Sequence, residues 1–177
     1  LNISSLGKIN QPLNILYSGF NVVNSDVKIN VLKLNSSLTE DAINFIDSSV
    51  ELGTVFAEDI FSDAIDSDSS KLKIEKINCK KVSNDCLDLS YSQAKIGSVL
   101  GLNIKDKAVS IGEASNVSIN EISVFNSEVG LVVKDSSEVV VGSINLSEVK
   151  LPVATYIKKP ELGSPIVNIN LMKSDDL

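Results

Sequence analysis

The sequence predicts an all-β fold, a right-handed parallel β-helix in which a solenoid completes one coil about every 22 residues. The first observation is a column of small or special residues at a constant interval of 22, namely Ala42, Ala64, Cys86, Ala108, Gly130 and Pro152. The second is the alternation of apolar and polar residues after each of them, which is typical of strands with one buried face. The third is that no stretch keeps a helical period for two turns.

Each coil can be divided into three short strands from its apolar residues. The first strand carries the inward column Ile43, Ile65, Leu87, Val109, Leu131 and Val153. The second begins at positions such as Leu52, Ile74, Ile96, Ile119 and Val141, and a third apolar step follows at Phe61, Val82, Ile104 and Leu146. The phase slips by one residue at Ile119, which predicts an insertion in the turn 113–116. Ile and Val outnumber Leu at these positions, which favours strands over the alternative of a leucine-rich repeat.

The domain organisation follows from where the repeat is regular. We expect regular coils over residues 40–150, N-terminal coils or a cap over 1–39, and a C-terminal cap and tail over 151–177. Pro152, Pro160 and Pro165 interrupt the last part, since proline cannot donate to a strand ladder. The chain opens without Met or an apolar leader, so we interpret it as part of a larger protein whose targeting signal, if any, lies outside this segment. For that larger protein we favour a secreted or cell-surface location.

Composition excludes several function classes. The 177 residues contain no His, Arg or Trp, which removes His-based triads and His-ligated zinc. The net charge is −7, so neither nucleic acid nor an anionic membrane is an expected partner, and no apolar run is long enough for membrane insertion. Cys79 and Cys86 are expected to pack as small buried residues, with a disulfide as the alternative.

Three segments on successive coils resemble the motifs of a known enzyme family. They are Ser62-Asp63-Ala64-Ile65-Asp66, Asn84-Asp85-Cys86-Leu87 and Asp106-Lys107-Ala108-Val109-Ser110-Ile111-Gly112. They resemble the Asn-Thr-Asp, Asp-Asp-Cys and Gly-His-Gly-Ile-Ser-Ile-Gly motifs of polygalacturonase-type glycoside hydrolases, in the pectin-lyase-like superfamily of right-handed parallel β-helices. The resemblance covers about residues 40–150. It implies the fold and places Asp63 and Asp85 at motif aspartates.

The same motifs are degraded in this chain. Asn84 replaces the first Asp of the pair, and Lys107 stands where the family has His. No counterpart of the family's Arg-Ile-Lys motif exists, because the chain has no Arg. The resemblance therefore supports the fold and the face of the solenoid more strongly than it supports an activity.

The candidate site is an acidic face on two neighbouring coils. If Ile65 and Leu87 point inward, Asp66 and Asp88 point outward, one above the other. Asp63 and Asp85 form a second vertical pair near the same corner. Two carboxylates stacked at about 5 Å repel by about 1 kcal/mol in water and about 3 kcal/mol at an effective dielectric constant near 20. A bound cation, a shared proton or a neighbouring lysine would relieve this repulsion.

Three interpretations of the acidic face stay open. The aspartates cap turns through their side chains; or they hold a hard cation, Ca²⁺; or they are catalytic. The metal-ligand candidates are Asp63, Asp66, Asp68, Asp85 and Asp88. The catalytic candidates are Asp63, Asp85, Asp88 and Lys107.

A catalytic face could work in two ways. A hydrolase that inverts stereochemistry needs carboxyl groups roughly 6.5 to 9.5 Å apart, which the diagonal from Asp63 to Asp88 could supply. A polysaccharide lyase would need Lys107 as a base, and its acidic surroundings disfavour that role by raising its pKa. We predict a carbohydrate-associated domain that binds or cleaves a polysaccharide or oligosaccharide at this face. The alternative is a non-catalytic structural or protein-interaction solenoid.

Overall fold

The computed structural model describes residues 1–4 and 18–175, and it confirms the predicted all-β parallel solenoid. Strands make up 76% of the structure, coils stack about 22 residues apart, and the solenoid completes about six turns. All strand pairs are parallel and belong to one continuous 12-stranded sheet. Its strands are β1 Asn2–Ser4, β2 Phe20–Val23, β3 Asp26–Asn35, β4 Asp41–Ile46, β5 Ser49–Ile60, β6 Asp63–Asp68, β7 Lys71–Val82, β8 Leu87–Ser90, β9 Gln93–Gly112, β10 Asn116–Lys134, β11 Glu138–Tyr156 and β12 Ile166–Ser174.

Each coil has three sides, and the candidate site lies on the first of them. The first side is formed by β2, β4, β6, β8 and the last residues of β9, β10 and β11. The second and third sides are the two halves of the long strands, such as 71–74 and 76–80 in β7. One repeat of the sequence therefore builds one turn of a three-sided tube.

The predicted inward column forms the core of the first side. Ile43, Ile65, Leu87, Val109 and Leu131 pair in register on successive coils, and all are fully buried. Their small neighbours Ala42, Ala64, Cys86 and Ala108 are also fully buried. The column of small residues marks the corner where the chain turns into the first side and leaves space for little more than a methyl group.

The predicted insertion at the turn 113–116 is confirmed. Gly112 pairs with Ser90, 22 residues earlier, whereas Asn116 pairs with Gln93, 23 residues earlier. The extra residue is accommodated because both Glu113 and Ala114 adopt positive φ. The interval returns to 22 at a later corner of the same coil, where the register shifts between Ser127 and Val129.

The predicted third apolar step is wrong at two of its positions. Phe61 is 60% exposed, and the inward residue of that coil is Ile60, which pairs with Val82. A residue with positive φ precedes the inward position in each coil, Asp59 here and Lys81 in the next, so the inward residue is Ile60, and Phe61 lies one residue beyond it. Leu146 pairs with Val124 on the third side instead of lying at the corner.

A column of buried serines holds the corner between the first and second sides, and its role was not foreseen. Ser70 Oγ accepts the backbone N–H of Ser48 at 3.0 Å and donates to the Asp68 carbonyl oxygen at 3.0 Å. The same acceptor bond recurs on successive coils at Ser48, Ser70, Ser92, Ser115 and Ser137. Each serine follows a residue with positive φ, so the column pairs backbone groups that the sharp turn removes from the ladder.

The two cysteines form a disulfide, so the expectation that they only pack as buried residues is wrong. Cys79 is an inward residue of the third side, and Cys86 is an inward residue at the start of the first side. The two face each other across one corner of the same coil. Their Cα atoms are 5.9 Å apart, and both side chains are buried. The bond closes the corner that leads into the acidic face.

The three C-terminal prolines differ in their positions relative to the strands. Pro160 and Pro165 lie in the connection between β11 and β12, although Pro152 is accommodated within β11. β12 pairs with β11 and ends at Ser174. Asp176 and Leu177, at the end of the predicted tail, lie outside the described residues. No helix long and apolar enough to cross a membrane occurs in residues 1–4 and 18–175.

Candidate functional site

The predicted acidic residues lie in two neighbouring columns on the outer surface of the first side. The inner column runs Asn44, Asp66, Asp88 and Ser110 on successive coils. The corner column runs Asp41, Asp63, Asp85 and Lys107 at the entry to the same side. We call these eight residues the acidic strip. Asp66 and Asp88 are direct register partners, so their Cα atoms are separated by one strand spacing, about 4.8 Å.

Two carboxylates of the corner column accept hydrogen bonds from backbone N–H groups. Asp63 Oδ1 accepts the backbone N–H of Asp85 at 2.7 Å. Asp85 Oδ1 in turn accepts the backbone N–H of Lys107 at 3.0 Å and contacts the Lys107 ammonium at 3.2 Å. Each aspartate therefore caps the backbone of the next coil. This is the turn-capping interpretation, and it applies to Asp63 and Asp85.

Lys107 is held as a cation. Burial lowers its pKa, but the hydrogen bond to Asp106 and the nearby charge of Asp85 outweigh burial, so the pKa lies above the ordinary lysine value. Its ammonium contacts both carboxylates. A lysine in this state neutralises the corner column and cannot abstract a proton at neutral pH, which speaks against the lyase interpretation.

The inner column, in contrast, contains polar atoms without partners. Asp88 Oδ1 and Asn44 Oδ1 are buried and have no hydrogen-bond partner among the described residues. Asn44 Nδ2 reaches Asp68 Oδ2 at 3.4 Å, which places Asp68 at the edge of the strip. Since buried polar atoms are nearly always paired, an unpaired carboxylate oxygen at a surface strip is the kind of atom that a ligand satisfies.

Burial and mutual repulsion shift the acidity of the strip. Burial raises the pKa of Asp66 to about 8, and the charges of Asp41, Asp68 and Asp88 add to the shift. Burial raises the pKa of Asp85 to about 7 against the opposing charge of Lys107. Burial raises the pKa of Asp41 to about 6 although Ser18 donates to its carboxylate at 2.6 Å. Burial also raises that of Asp63, opposed by its bond to the Asp85 N–H.

The consequence is a strip with mixed protonation at neutral pH. At pH 7 the Asp66 carboxyl group is largely protonated and can donate a hydrogen bond. Its partner in the column, Asp88, offers an oxygen that accepts one. A donor and an acceptor thus lie side by side on adjacent coils.

The predicted calcium site has no preformed ligand cage. In the part of the chain that the structure describes, no group of three or more acidic or cysteine side chains is arranged to hold a metal ion. Asp63 and Asp85 direct oxygens to backbone N–H groups, and Lys107 supplies positive charge. Calcium binding by Asp63, Asp66, Asp68, Asp85 and Asp88 stays a prediction.

A second polar cluster next to the strip was missed from the sequence. Lys134 lies on the outward face of the first side, but its side chain is buried, and its ammonium donates to Ser110 Oγ at 3.0 Å. Glu113 accepts from the Ser90 hydroxyl and pairs with the Lys159 ammonium at 3.1 Å. The cluster extends the inner column of the strip from Ser110 to a buried cation.

This cluster is closed by the loop between β11 and β12. Asp135 is fully buried, and its Oδ1 accepts the backbone N–H groups of Lys158 and Lys159 at 2.6 and 2.8 Å. The ammonium of Lys159 also lies 5.4 Å from the centre of the Tyr91 ring. The loop therefore lies over the end of the first side and covers the polar cluster.

The only sequence signal for the buried lysine is a glycine one coil earlier. A Cβ at Gly112 would lie 3.1 Å from Lys134 Cε, so the missing side chain leaves the space in which the lysine lies. An outward lysine in a strand ordinarily indicates a solvated face, which is why the pattern alone did not identify Lys134.

Comparisons with known proteins add no family to this description. Family models, curated proteins and solved structures all gave no match to the chain. The parallel β-solenoid is shown by the structure, whereas the pectin-lyase-like assignment remains a resemblance of motifs.

Proposed function

We propose that this chain is a carbohydrate-binding β-solenoid domain whose acidic strip binds an oligosaccharide through Asp66 and Asp88. The observation that carries the proposal is the buried Oδ1 of Asp88, which has no partner among the described residues. A sugar hydroxyl can donate to this oxygen once the carboxyl group of Asp88, a residue that is only half-buried, rotates toward the surface. The protonated carboxyl group of Asp66 can donate to a neighbouring hydroxyl on the next coil.

The spacing of the strip supports a polyhydroxylated ligand. Register pairing repeats the same outward position about every 4.8 Å along the axis, so donors and acceptors recur at regular intervals. The strip ends at Ser110, which is fully buried and accepts from the Lys134 ammonium, so the groups that this column offers to a ligand are those of Asp66 and Asp88. A chain of sugar rings offers hydroxyl groups with comparable regularity, and each ring can both donate and accept.

Hydrolysis is the second candidate function, because Asp66 and Asp88 differ in environment. A carboxyl group that stays protonated at neutral pH can act as a general acid beside a carboxylate. Register pairing places their Cα atoms one strand spacing apart, about 4.8 Å, which allows the carboxyl separation of about 5 to 5.5 Å that retaining glycosidases use. The pair Asp66 and Asp88 thus replaces the diagonal from Asp63 to Asp88 as our candidate acid and nucleophile.

Binding can be tested with a panel of neutral, uronic and amino oligosaccharides, using isothermal titration calorimetry and NMR chemical shifts. We expect at least one sugar to bind the parent chain and Asp88→Asn to weaken that binding at least tenfold, because the amide changes the acceptor pattern. The matched control is Asp26→Asn, an exposed aspartate on the second side, which should leave the affinity unchanged.

The outcome also separates the three functional interpretations. Release of reducing ends by the parent chain, abolished in Asp66→Asn, would establish hydrolysis. Binding of a sugar without release of reducing ends would support the binding function and not hydrolysis. Equal affinities for the parent chain and Asp88→Asn, or no binding to any sugar, would contradict the proposal and favour the structural or protein-interaction solenoid.

A further inference from the structure

A long groove runs along the corner between the third and first sides and shares no lining residue with the acidic strip. Its volume is about 710 Å³. Its walls come from six successive coils, from Ser37 at one end to Lys150 at the other, which spans roughly 24 Å at about 4.8 Å per coil. The groove is therefore shaped for a linear chain that lies along the solenoid axis.

The charges along the groove neutralise one another. Lys81 pairs with Asp59 at 3.3 Å, and Lys150 pairs with Glu128 on the neighbouring coil. The two other charged residues of the lining, Lys105 and Glu148, have opposite signs. The lining has three cations and three anions and therefore carries no net charge. A neutral ligand matches such a lining better than a charged one does.

The remaining lining combines an apolar platform with amide groups. Phe61 and Leu38 are 60% and 50% exposed at one end of the groove. Toward the other end Asn126 Nδ2 donates to Asn103 Oδ1 at 2.8 Å, which leaves further amide donors and acceptors of both side chains free to face a ligand. An exposed aromatic ring followed by amides suits a ligand that has both apolar ring faces and hydroxyl groups.

An extended peptide fits this groove less well, because the backbone beside it is already paired. Phe61 N–H donates to the Ser37 carbonyl oxygen, and Ser83 N–H donates to that of Ile60. The corner thus presents side chains instead of a free strand edge, and a peptide could not add as a further strand. A ligand at this corner must be recognised by side-chain hydrogen bonds and by ring stacking.

We infer that the groove is a second binding site, which takes a neutral linear glycan lying parallel to the solenoid axis. Phe61 stacks on a sugar ring at one end, and Asn103 and Asn126 bind hydroxyl groups toward the other. The repeat of one sugar ring is close to the spacing of one coil, so successive rings meet equivalent positions. This site goes beyond the acidic strip and does not depend on Asp66 or Asp88.

The test is an NMR and calorimetric titration of the full chain with cellohexaose, xylohexaose and mannohexaose as neutral linear probes. Hexagalacturonate and a capped neutral hexapeptide serve as comparison ligands. We expect a neutral hexasaccharide to shift the side-chain amide signals of Asn103 and Asn126, and the affinity measured from these two signals to be at least tenfold higher than that of either comparison ligand.

Two phenylalanine variants test whether the glycan binds in the groove. Phe61→Ser should weaken binding of the neutral hexasaccharide at least fivefold, whereas Phe56→Ser, a similarly exposed phenylalanine on the third side, should leave it unchanged. The side-chain amide signals of Asn103 and Asn126 report on the groove alone, which separates this site from the acidic strip. Binding that is insensitive to Phe61→Ser, shifts of these amide signals at lower concentrations of hexagalacturonate or the peptide, or no shift of them with any neutral hexasaccharide would overturn the inference.

Discussion

At the scale of single residues, aspartates with the same spacing in the sequence have different roles. Asp63 and Asp85 accept backbone N–H groups of the following coil. Asp88 leaves a buried oxygen without a partner in the described chain. The difference comes from the position within the coil: the corner exposes backbone donors that need capping, whereas the middle of the strand has its backbone already paired.

The raised pKa of Asp66 makes stability depend on pH. Its folded pKa of about 8 exceeds the ordinary aspartate value near 3.9, so between about pH 4 and pH 8 the folded chain binds a proton that the unfolded chain has released. Stability contributed by this group is complete below pH 4 and is lost as the pH rises toward 8. Asp85 and Asp41 act in the same direction up to about pH 7 and pH 6.

We therefore expect Asp66→Asn to raise the free energy of unfolding at pH 8 by about 1 to 3 kcal/mol and to change it little at pH 4. Urea denaturation at a series of pH values measures this difference. Asp26→Asn is the matched control, because that carboxyl group is exposed on another side. A variant with the same pH dependence as the parent chain would show that Asp66 ionises normally in the folded state.

At the scale of the structural element, the corners carry specific interactions that the strands do not need. The serine column satisfies backbone groups at one corner, and the disulfide joins β7 to the start of the next side at another. Both occur where the chain turns out of the ladder. The corners therefore depend on specific side chains to pair the backbone and to join neighbouring sides.

We expect Ser92→Ala, in the middle of the serine column, to destabilise the chain by about 1 to 3 kcal/mol. The change removes the bond from the Ser70 N–H at 3.1 Å and the bond to the Ser90 carbonyl oxygen at 2.9 Å, leaving buried backbone groups without partners. Thermal and urea unfolding measure the loss. Ser118→Ala, at an exposed strand position, should stay within about 0.5 kcal/mol of the parent chain; an equal effect of both changes would contradict the role of the column.

We expect reduction of the Cys79–Cys86 disulfide to lower stability by about 2 kcal/mol, because a short loop in the unfolded chain is no longer closed. Thermal melts with and without a reducing agent measure the effect. A double variant with Cys79→Ala and Cys86→Ala places alanine where neighbouring coils also have it at 57, 64 and 108, and its melting temperature should not respond to the reductant. A parent chain that is equally insensitive would show that the two thiols are not joined.

At the scale of the whole molecule, the solenoid is one continuous core. The inward columns of successive coils pack on one another from Val22 near one end to Val149 near the other. In the strand ladder of the described residues each coil pairs only with its neighbours, so stability is approximately a sum of coil and interface contributions. A cavity in a central coil weakens the contacts on both of its sides.

We expect Leu87→Ala to cost about 2 to 5 kcal/mol, because Leu87 is fully buried between Ile65 and Val109. Urea unfolding followed by circular dichroism and by tyrosine fluorescence measures the change. The control Val140→Ala truncates an exposed side chain in β11 and should have a much smaller effect. An unchanged denaturation midpoint in Leu87→Ala would show that the inward column is wrongly assigned.

The sequence by itself determined the period, the strand class and the inward columns of this protein. These properties are local or repeat at a constant interval, so the alternation after Ala64, Cys86 and Ala108 already orders the core. The stacking of Asp66 on Asp88 follows from the same rule, since a shared register places equivalent residues side by side.

Only the tertiary structure decided how the polar residues are used. The disulfide depends on two inward cysteines that meet across a corner, and the burial of Lys134 depends on the space above Gly112 and on a loop from a later coil. The unpaired oxygen of Asp88 likewise depends on which donors surround it. Such properties arise from contacts between coils and loops, in distances and directions that a repeat in one dimension does not encode.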